Sequence, residues 1–435
     1  MVLSTYFKIT VFSSSLLLCH LAMAANQARS PDRQWLLGDW NGQRPQLEDQ
    51  GYKFVTSIIT ESASNIDGGY NENNKTLHAY TLTLGTNFDL EKLAGWKDTE
   101  ASVQITKRDG QSLSAERIAD PRAGQFSNTQ ETYGRGQKWR LTQAWIKKGF
   151  MDNNLQFKLG RMGLNEDFNG AQCEFQNLIL CGNQIGKSNG SIWYNSPVSG
   201  WGANVKYQFA SAWSIATGIY EINPENLLEN GGFNLSLDQT EGAIIPVELA
   251  WKPKLQGLAG EYKIGGYYAN VDVKDVKTNE MHDSKHSFWL NSQQQLTSHA
   301  SNDKRGLFAA GNFVWNDKQT AQVESTQQIS FWYKGPFDRR PNDSIGLGVA
   351  RFDVNNRVRD AQNLQNDANG LTVADYSNSL YQPIQYDEVN VELNYSYNWS
   401  SAVMFRPNIQ YIHQPGGVKQ VDDAWVAGLT MRLNF

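Results

Sequence analysis

Apolar and polar side chains take turns along most of this chain, in runs of about ten residues. Tyr80, Leu82, Leu84 and Phe88 alternate with Thr81, Thr83, Gly85 and Asn87, and Trp201, Ala203, Val205, Tyr207 and Phe209 with Gly202, Asn204, Lys206 and Gln208. The last run is the cleanest: Trp425, Ala427, Leu429, Met431, Leu433 and Phe435 interleave with Val426, Gly428, Thr430, Arg432 and Asn434. Successive side chains of a strand point to opposite faces, so each run makes a strip of sheet with one apolar and one polar side.

Sixteen such strands are expected, near 53–63, 77–90, 99–108, 138–150, 154–163, 200–209, 212–222, 242–252, 260–272, 285–296, 304–315, 326–335, 343–353, 387–398, 402–412 and 425–435. The weakest pattern is 285–296, where Phe288-Trp289-Leu290 runs into a Gln-rich stretch; parity retains it, because an even count returns both ends of a closed sheet to one side. The long connections are then 109–137, 164–199, 223–241 and 354–386. Ahead of the strands, Pro45 to Gln50 closing on Gly51 reads as a short helix.

A soluble sandwich also alternates. Three features point instead to a lipid-facing barrel. The chain ends on an aromatic, Phe435, at the close of an alternating strand, which resembles the signal read by the barrel-assembly machinery. Aromatics such as Trp201, Trp213, Trp251, Trp315, Tyr333, Tyr397 and Trp425 fall at strand ends, where interfacial girdles belong. Short turns alternate with long polar loops. The expected fold is therefore all-β: a transmembrane antiparallel up-and-down β-barrel of about 16 strands with a short N-terminal periplasmic helix.

Composition agrees. Beyond the N-terminus no stretch approaches the ~18–20 uninterrupted apolar residues of a membrane helix, yet the chain holds 14 Trp, 18 Tyr, 19 Phe and 37 Gly on a polar background. Residues 1–24 carry a single charge, Lys8, then the apolar run Ile9 to Leu18, then Ala22-Met23-Ala24, the small-x-small pattern of a cleaved signal peptide. The mature chain would comprise a periplasmic segment, 25–52, and the barrel, 53–435, in the outer membrane of a Gram-negative cell. Without Lys8 it holds 38 basic and 44 acidic residues, a formal charge of −6 that does not suggest nucleic acid. Its two remaining cysteines, Cys173 and Cys181, lie in an exported chain with no His at ligand spacing, so a disulfide is expected and no metal or other cofactor is implied.

Specific strings then become recognisable. Trp35-Leu36-Leu37-Gly38-Asp39-Trp40-Asn41-Gly42-Gln43-Arg44, Asp89-Leu90-Glu91-Lys92-Leu93-Ala94-Gly95-Trp96, Leu159-Gly160-Arg161, Tyr220-Glu221-Ile222-Asn223-Pro224, Arg340-Pro341-Asn342-Asp343-Ser344-Ile345-Gly346-Leu347-Gly348 and Asp422-Asp423-Ala424-Trp425 occur in order along the chain. Together they resemble the carbohydrate-selective porins, the OprB family. The resemblance implies a passive diffusion channel for glucose-like monosaccharides, set among outer-membrane lipid and lipopolysaccharide, with small organic or aromatic acids (quinate-like) or small solutes in general as the alternative cargo.

If apolar positions face lipid, strand phase puts Gln104, Arg108, Arg140, Lys206, Glu248, Lys263, Glu392, Arg406 and Arg432 in the lumen. Selectivity needs a constriction built by infolded loops. The candidates are 109–137, with Glu116, Arg117, Arg122 and Arg135, and 164–199, with Glu166, Asp167, Glu174 and the Cys173–Cys181 clamp. Arg108 and Arg140 are the leading candidates for contact with solute, since Arg is a planar multiple donor suited to hydroxyls and carboxylates; Arg432, near a turn, is expected to lie far from the constriction. An enzymatic reading fails on its chemistry: Ser188-Asn189-Gly190 resembles part of a phospholipase signature, but Gly186 stands two before the serine and no Ser/His/acid grouping surrounds it. A receptor would need longer loops or a plug, and only about 30 residues precede the first strand.

Overall fold

A computed structural model describes residues 34–135, 138–299 and 304–435; the expected signal peptide lies outside the described residues. Sixteen long strands follow one another: β1 (Tyr52–Gly69), β2 (Thr76–Asp89), β3 (Thr99–Gly110), β4 (Trp139–Phe150), β5 (Leu155–Met162), β6 (Gly200–Ala210), β7 (Trp213–Ile222), β8 (Gly242–Trp251), β9 (Leu258–Lys274), β10 (Met281–Gln295), β11 (Gly306–Asn316), β12 (Val323–Lys334), β13 (Ser344–Val354), β14 (Glu388–Ser400), β15 (Val403–His413) and β16 (Asp422–Asn434). Each pairs antiparallel with its neighbours in sequence, apart from a two-residue ribbon, Lys254–Leu255, folded onto the start of β9. Closure comes from β1, which pairs with β2 from Tyr52↔Phe88 onward and with β16 from Ser57↔Asn434 to Gly69↔Asp422. A closed sheet has no free edge and no unpaired backbone to set against hydrocarbon. The segment retained on parity, 285–296, is the core of β10.

Strand phase is as the alternation requires. Leu159, Ile219, Ile264, Phe288 and Leu393 are more than half exposed on the outside, while Arg108, Arg140, Glu248, Glu392 and Arg406 are buried on the inside. At the end bearing the chain termini, Trp213 and Trp251 stack 5.6 Å apart with Tyr262 beside them, an aromatic belt at the membrane boundary. The expected N-terminal helix is Gln43–Asp49.

The long connections carry helical turns, such as Ser114–Ile118 and Ile185–Ser188, and the longest departure from plain loop comes after β13, where helix Asn356–Ala368 forms, capped by the Asn355 side chain on the Arg357 N–H. It presents only Val358, Gln362 and Asn366 inward, one residue per turn and two of them amides, so no apolar stripe marks it in the sequence.

Candidate functional site

Polar side chains pointing into a barrel leave a wet tube, and two connections narrow this one. The β3–β4 loop bends inward because Glu61 of β1 accepts hydrogen bonds from the Thr132 N–H (2.9 Å) and hydroxyl (3.0 Å), while the Gln130 amide donates to the Glu61 and Leu77 carbonyls. The β5–β6 loop crosses the lumen to the far wall. There Glu392 of β14 accepts the Gln176 N–H (3.0 Å) and the Asn177 N–H (2.7 Å), and Gln176 in turn accepts from Asn408 of β15 and Thr430 of β16. Glu248 of β8 takes the Asn169 N–H (2.8 Å) and the Trp289 indole N–H (2.9 Å). Buried carboxylates are tolerated where several N–H donors meet them, and here they hold the loops to the wall. Apolar packing completes the anchorage: Trp193 of the loop lies 5.7 Å from Trp289 and 5.6 Å from Tyr267, among buried Phe168, Ile185 and Tyr194. The Glu131 N–H to Gln176 carbonyl bond, 3.0 Å, ties one loop to the other.

Between the loops and the β1–β3 wall lies a cavity of about 560 Å3. The disulfide Cys173–Cys181 is formed and edges it. Its charged lining is Arg108, Arg135, Lys187 and Glu131; the amides of Asn128, Asn165, Asn183 and Asn195 and the Tyr133 hydroxyl supply neutral donors and acceptors. Arg108 donates to the Glu131 carboxylate at 2.8 Å and to its carbonyl at 3.0 Å. Arg135 donates to the Gly186 and Gly190 carbonyls at 2.7 and 2.9 Å. Burial, aided by repulsion from Arg108 and Arg140, lowers Arg135 to about 10, so it stays charged at neutral pH. Lys187 donates to the Cys181 carbonyl, and burial lowers its ammonium to about 7 against the opposing pull of Glu131.

Of the residues expected at the constriction, Arg108 and Arg135 thus meet in one cavity. Gln104, two turns of the pleat back along β3, contacts Ser102 and Asn87 instead. Arg140 corrects an expectation. It is 2 % exposed and its guanidinium is consumed by four carbonyls, those of Arg135, Asn226, Leu227 and Leu228, so it fastens two loops together instead of facing the cavity. Glu116 pairs with Lys75, Arg117 donates to the Glu116 carbonyl, and Arg122 chelates Asp120 and lies over the Tyr376 ring. Burial would raise the Asp120 carboxyl, but hydrogen bonds from Arg122 and Tyr376 hold it below its usual range, and the bond to Asp120 lifts Arg122 above its own. Glu248 holds a loop. Two lining residues, Glu131 and Lys187, escape sequence reading, since neither lies on a strand where phase could assign a face.

Comparison with known proteins agrees with this architecture. Residues 73–435 match the model of the family described as "Carbohydrate-selective porin, OprB family". The chain is 62% identical over 437 residues to "Putative porin QuiX" of Acinetobacter baylyi, with 99% of each chain covered, and 46% identical over 429 residues to Porin B of Pseudomonas aeruginosa, covering 95% of this chain and 94% of that one. The high-pH structure of Pseudomonas putida OprB superposes with a TM-score of 0.92 at 45% identity, over 93% of this chain and 99% of the other. A closed sixteen-stranded barrel narrowed by two infolded loops, matched along most of its length by that family, is a channel: the chain belongs to the OprB family of carbohydrate-selective outer-membrane porins.

Proposed function

We propose that this porin passes monosaccharide-sized polyhydroxylated solutes into the periplasm, and that it takes those bearing a carboxylate, hydroxy acids of the quinate kind, ahead of neutral sugars such as glucose. The observation that carries the preference is the charge of the cavity, three basic side chains (Arg108, Arg135, Lys187) to one carboxylate, Glu131. A low-dielectric wall focuses that excess and draws anions from solution. The amides and the Tyr133 hydroxyl around it suit the remaining hydroxyls, each of which both donates and accepts. Neutral sugars are the second reading: Arg108 and Glu131, joined at 2.8 Å, offer a donor and an acceptor side by side to a pair of vicinal hydroxyls.

Liposome swelling with size-matched solutes decides between them. Quinate or gluconate should enter faster than glucose at neutral pH, and the advantage should shrink in high salt, which screens the cavity. Equal rates, or faster glucose, would remove the acid preference and leave the sugar reading.

Export is proposed on the same footing: cleavage after Ala24, delivery of the Phe435 strand to the barrel-assembly machinery, and residence among lipopolysaccharide. The N-terminal sequence of the protein isolated from outer membranes tests the first step, and a start anywhere but near Ala25 would overturn it.

A further inference from the structure

Past the constriction, toward the end of the barrel that holds both termini, a second cavity of about 310 Å3 opens beneath the tip of the β5–β6 loop. Lys334 of β12, Arg406 of β15 and Arg432 of β16 line it, and Glu174 from the loop tip reaches into it. Met404 pairs with Arg432 and Arg406 with Thr430, so the two arginines are diagonal neighbours on one inner face. The Arg406 guanidinium donates to the Ser396 hydroxyl at 2.7 Å and to the Glu174 carboxylate at 3.1 Å. Arg432 has no hydrogen-bond acceptor among the described residues. Arg432 lies toward the periplasmic end, outside the cavity lined by Arg108, and it faces a cavity where cations outnumber carboxylates.

Two guanidinium groups side by side repel each other, and one carboxylate does not neutralise both of them together with an ammonium. The arrangement is relieved by an anion. Glu174 already supplies one, and it does so from the boundary of a further lumen cavity, which it lines with Glu261 and Lys263. From this we infer that the periplasm-side cavity is a second anion subsite, in series with the constriction, where the carboxylate of a passing solute displaces Glu174 from Arg406 and is held by Arg406 and Arg432. The inference rests on the organic-acid reading for its cargo, though not for its charge. The competing carboxylate has a use: conduction needs sites that bind weakly enough to release, and Glu174 returns to Arg406 as the solute leaves.

The test uses the full-length protein in planar bilayers and reads two quantities, the chloride-to-potassium permeability ratio from reversal potentials and the block of current by added quinate. Arg432→Gln should lower the permeability ratio and weaken quinate block about two- to fivefold, the scale of one charge contact in a wet site. Arg432→Lys should retain the permeability ratio. Glu174→Gln should tighten block by a similar factor, and Arg432→Gln combined with Arg108→Gln should multiply the two single effects, because the subsites share no partner. Heat-dependent gel mobility confirms that each variant is folded. If Arg432→Gln changes neither quantity while Arg108→Gln changes both, the second subsite is wrong and the acid preference survives. If quinate blocks the unaltered channel no better than glucose but Arg432→Gln still lowers the permeability ratio, the acid preference falls and the anion subsite stands.

Discussion

The Arg44 guanidinium donates to the Phe435 carbonyl at 2.8 Å, joining the helix that precedes the barrel to the residue that ends it. The contact sits on the seam where β1 meets β16. Arg44 also reaches the Phe54 carbonyl at 3.3 Å, lies 4.1 Å from the Trp35 ring centroid and 5.1 Å from that of Trp40, and is 1 % exposed; the Leu36 N–H adds a bond to the Asn434 carbonyl at 2.7 Å. Burial lowers the Arg44 guanidinium from its usual range, and Glu48, 3.6 Å away, works against that. Arg44→Ala should therefore destabilise the closed barrel by about 2–4 kcal/mol, from lost charged hydrogen bonds and cation–π contact. Arg44→Lys, which keeps charge but loses the fork, should fall between. Heat-dependent gel mobility reads this directly, and an unchanged transition temperature in Arg44→Ala would show that the seam closes without the clasp.

A second prediction concerns how the crossing loop stays in place. Glu392 accepts from two successive backbone N–H groups, and an amide at this position would turn an NH2 toward them. Glu392→Gln should cost about 1–3 kcal/mol locally. Since the barrel wall is made elsewhere, the expected result is a folded channel with higher mean conductance, noisier open current and faster proteolysis within residues 163–199. A quiet channel of unaltered conductance would mean the apolar anchor around Trp193 suffices alone.

The pH dependence of selectivity should carry the signature of Lys187. Its ammonium, lowered to about 7, is present below that pH and lost above it, so anion preference should decline as pH rises from about 6 to 8 without reversing, because Arg135 is lowered only to about 10. Stability runs the opposite way. Between about 7 and 10.5 the unfolded chain holds the Lys187 proton and the folded one does not, so this group's contribution to stability rises with pH across that window. Lys187→Met should give a reversal potential flat in pH between 6 and 8; a slope equal to that of the unaltered channel would assign the titration elsewhere.

The barrel was legible because its physics is periodic. Leu429 and Thr430 must face opposite solvents, so spacing alone reports the sheet and the inward face of Arg108, Glu248 and Arg406. Position within the lumen was not legible in the same way. Whether an inward arginine meets solute or a loop depends on which carbonyls a distant segment brings to it, and nothing near Arg140 in the sequence announces Asn226, Leu227 and Leu228. Glu131 and Lys187 were hidden for the complementary reason, since an infolded loop has no phase to read. Helix Asn356–Ala368 was missed because its packed side is largely amide.

Arg108 and Arg140 provide the sharpest comparison, since they lie on adjacent strands and share an inner face, with Thr106 paired to Arg140 and Arg108 two residues farther along β3. Sequence gives them one role; contacts give them two. Arg108 has a carboxylate partner that could turn to a solute, and it borders the cavity. Arg140 has four carbonyls and does not line that cavity. Replacing Arg140 by Ala leaves those carbonyls without donors and should cost about 2–4 kcal/mol, seen as a lower unfolding temperature and unsteady current, while the chloride-to-potassium ratio and the relative uptake of quinate and glucose stay near their original values. Replacing Arg108 by Ala removes one of three cations and frees Glu131. Stability should then fall by about 1–3 kcal/mol, since Arg108 is buried and its two hydrogen bonds to Glu131 are lost. Quinate binding should weaken by up to about tenfold, as a charged donor is lost in a wet pore, and selectivity should shift toward cations, with glucose uptake much less affected. The reverse outcome, Arg140→Ala altering selectivity in a stable channel while Arg108→Ala leaves selectivity untouched, would place the constriction on the β4 side and overturn the cavity assigned here.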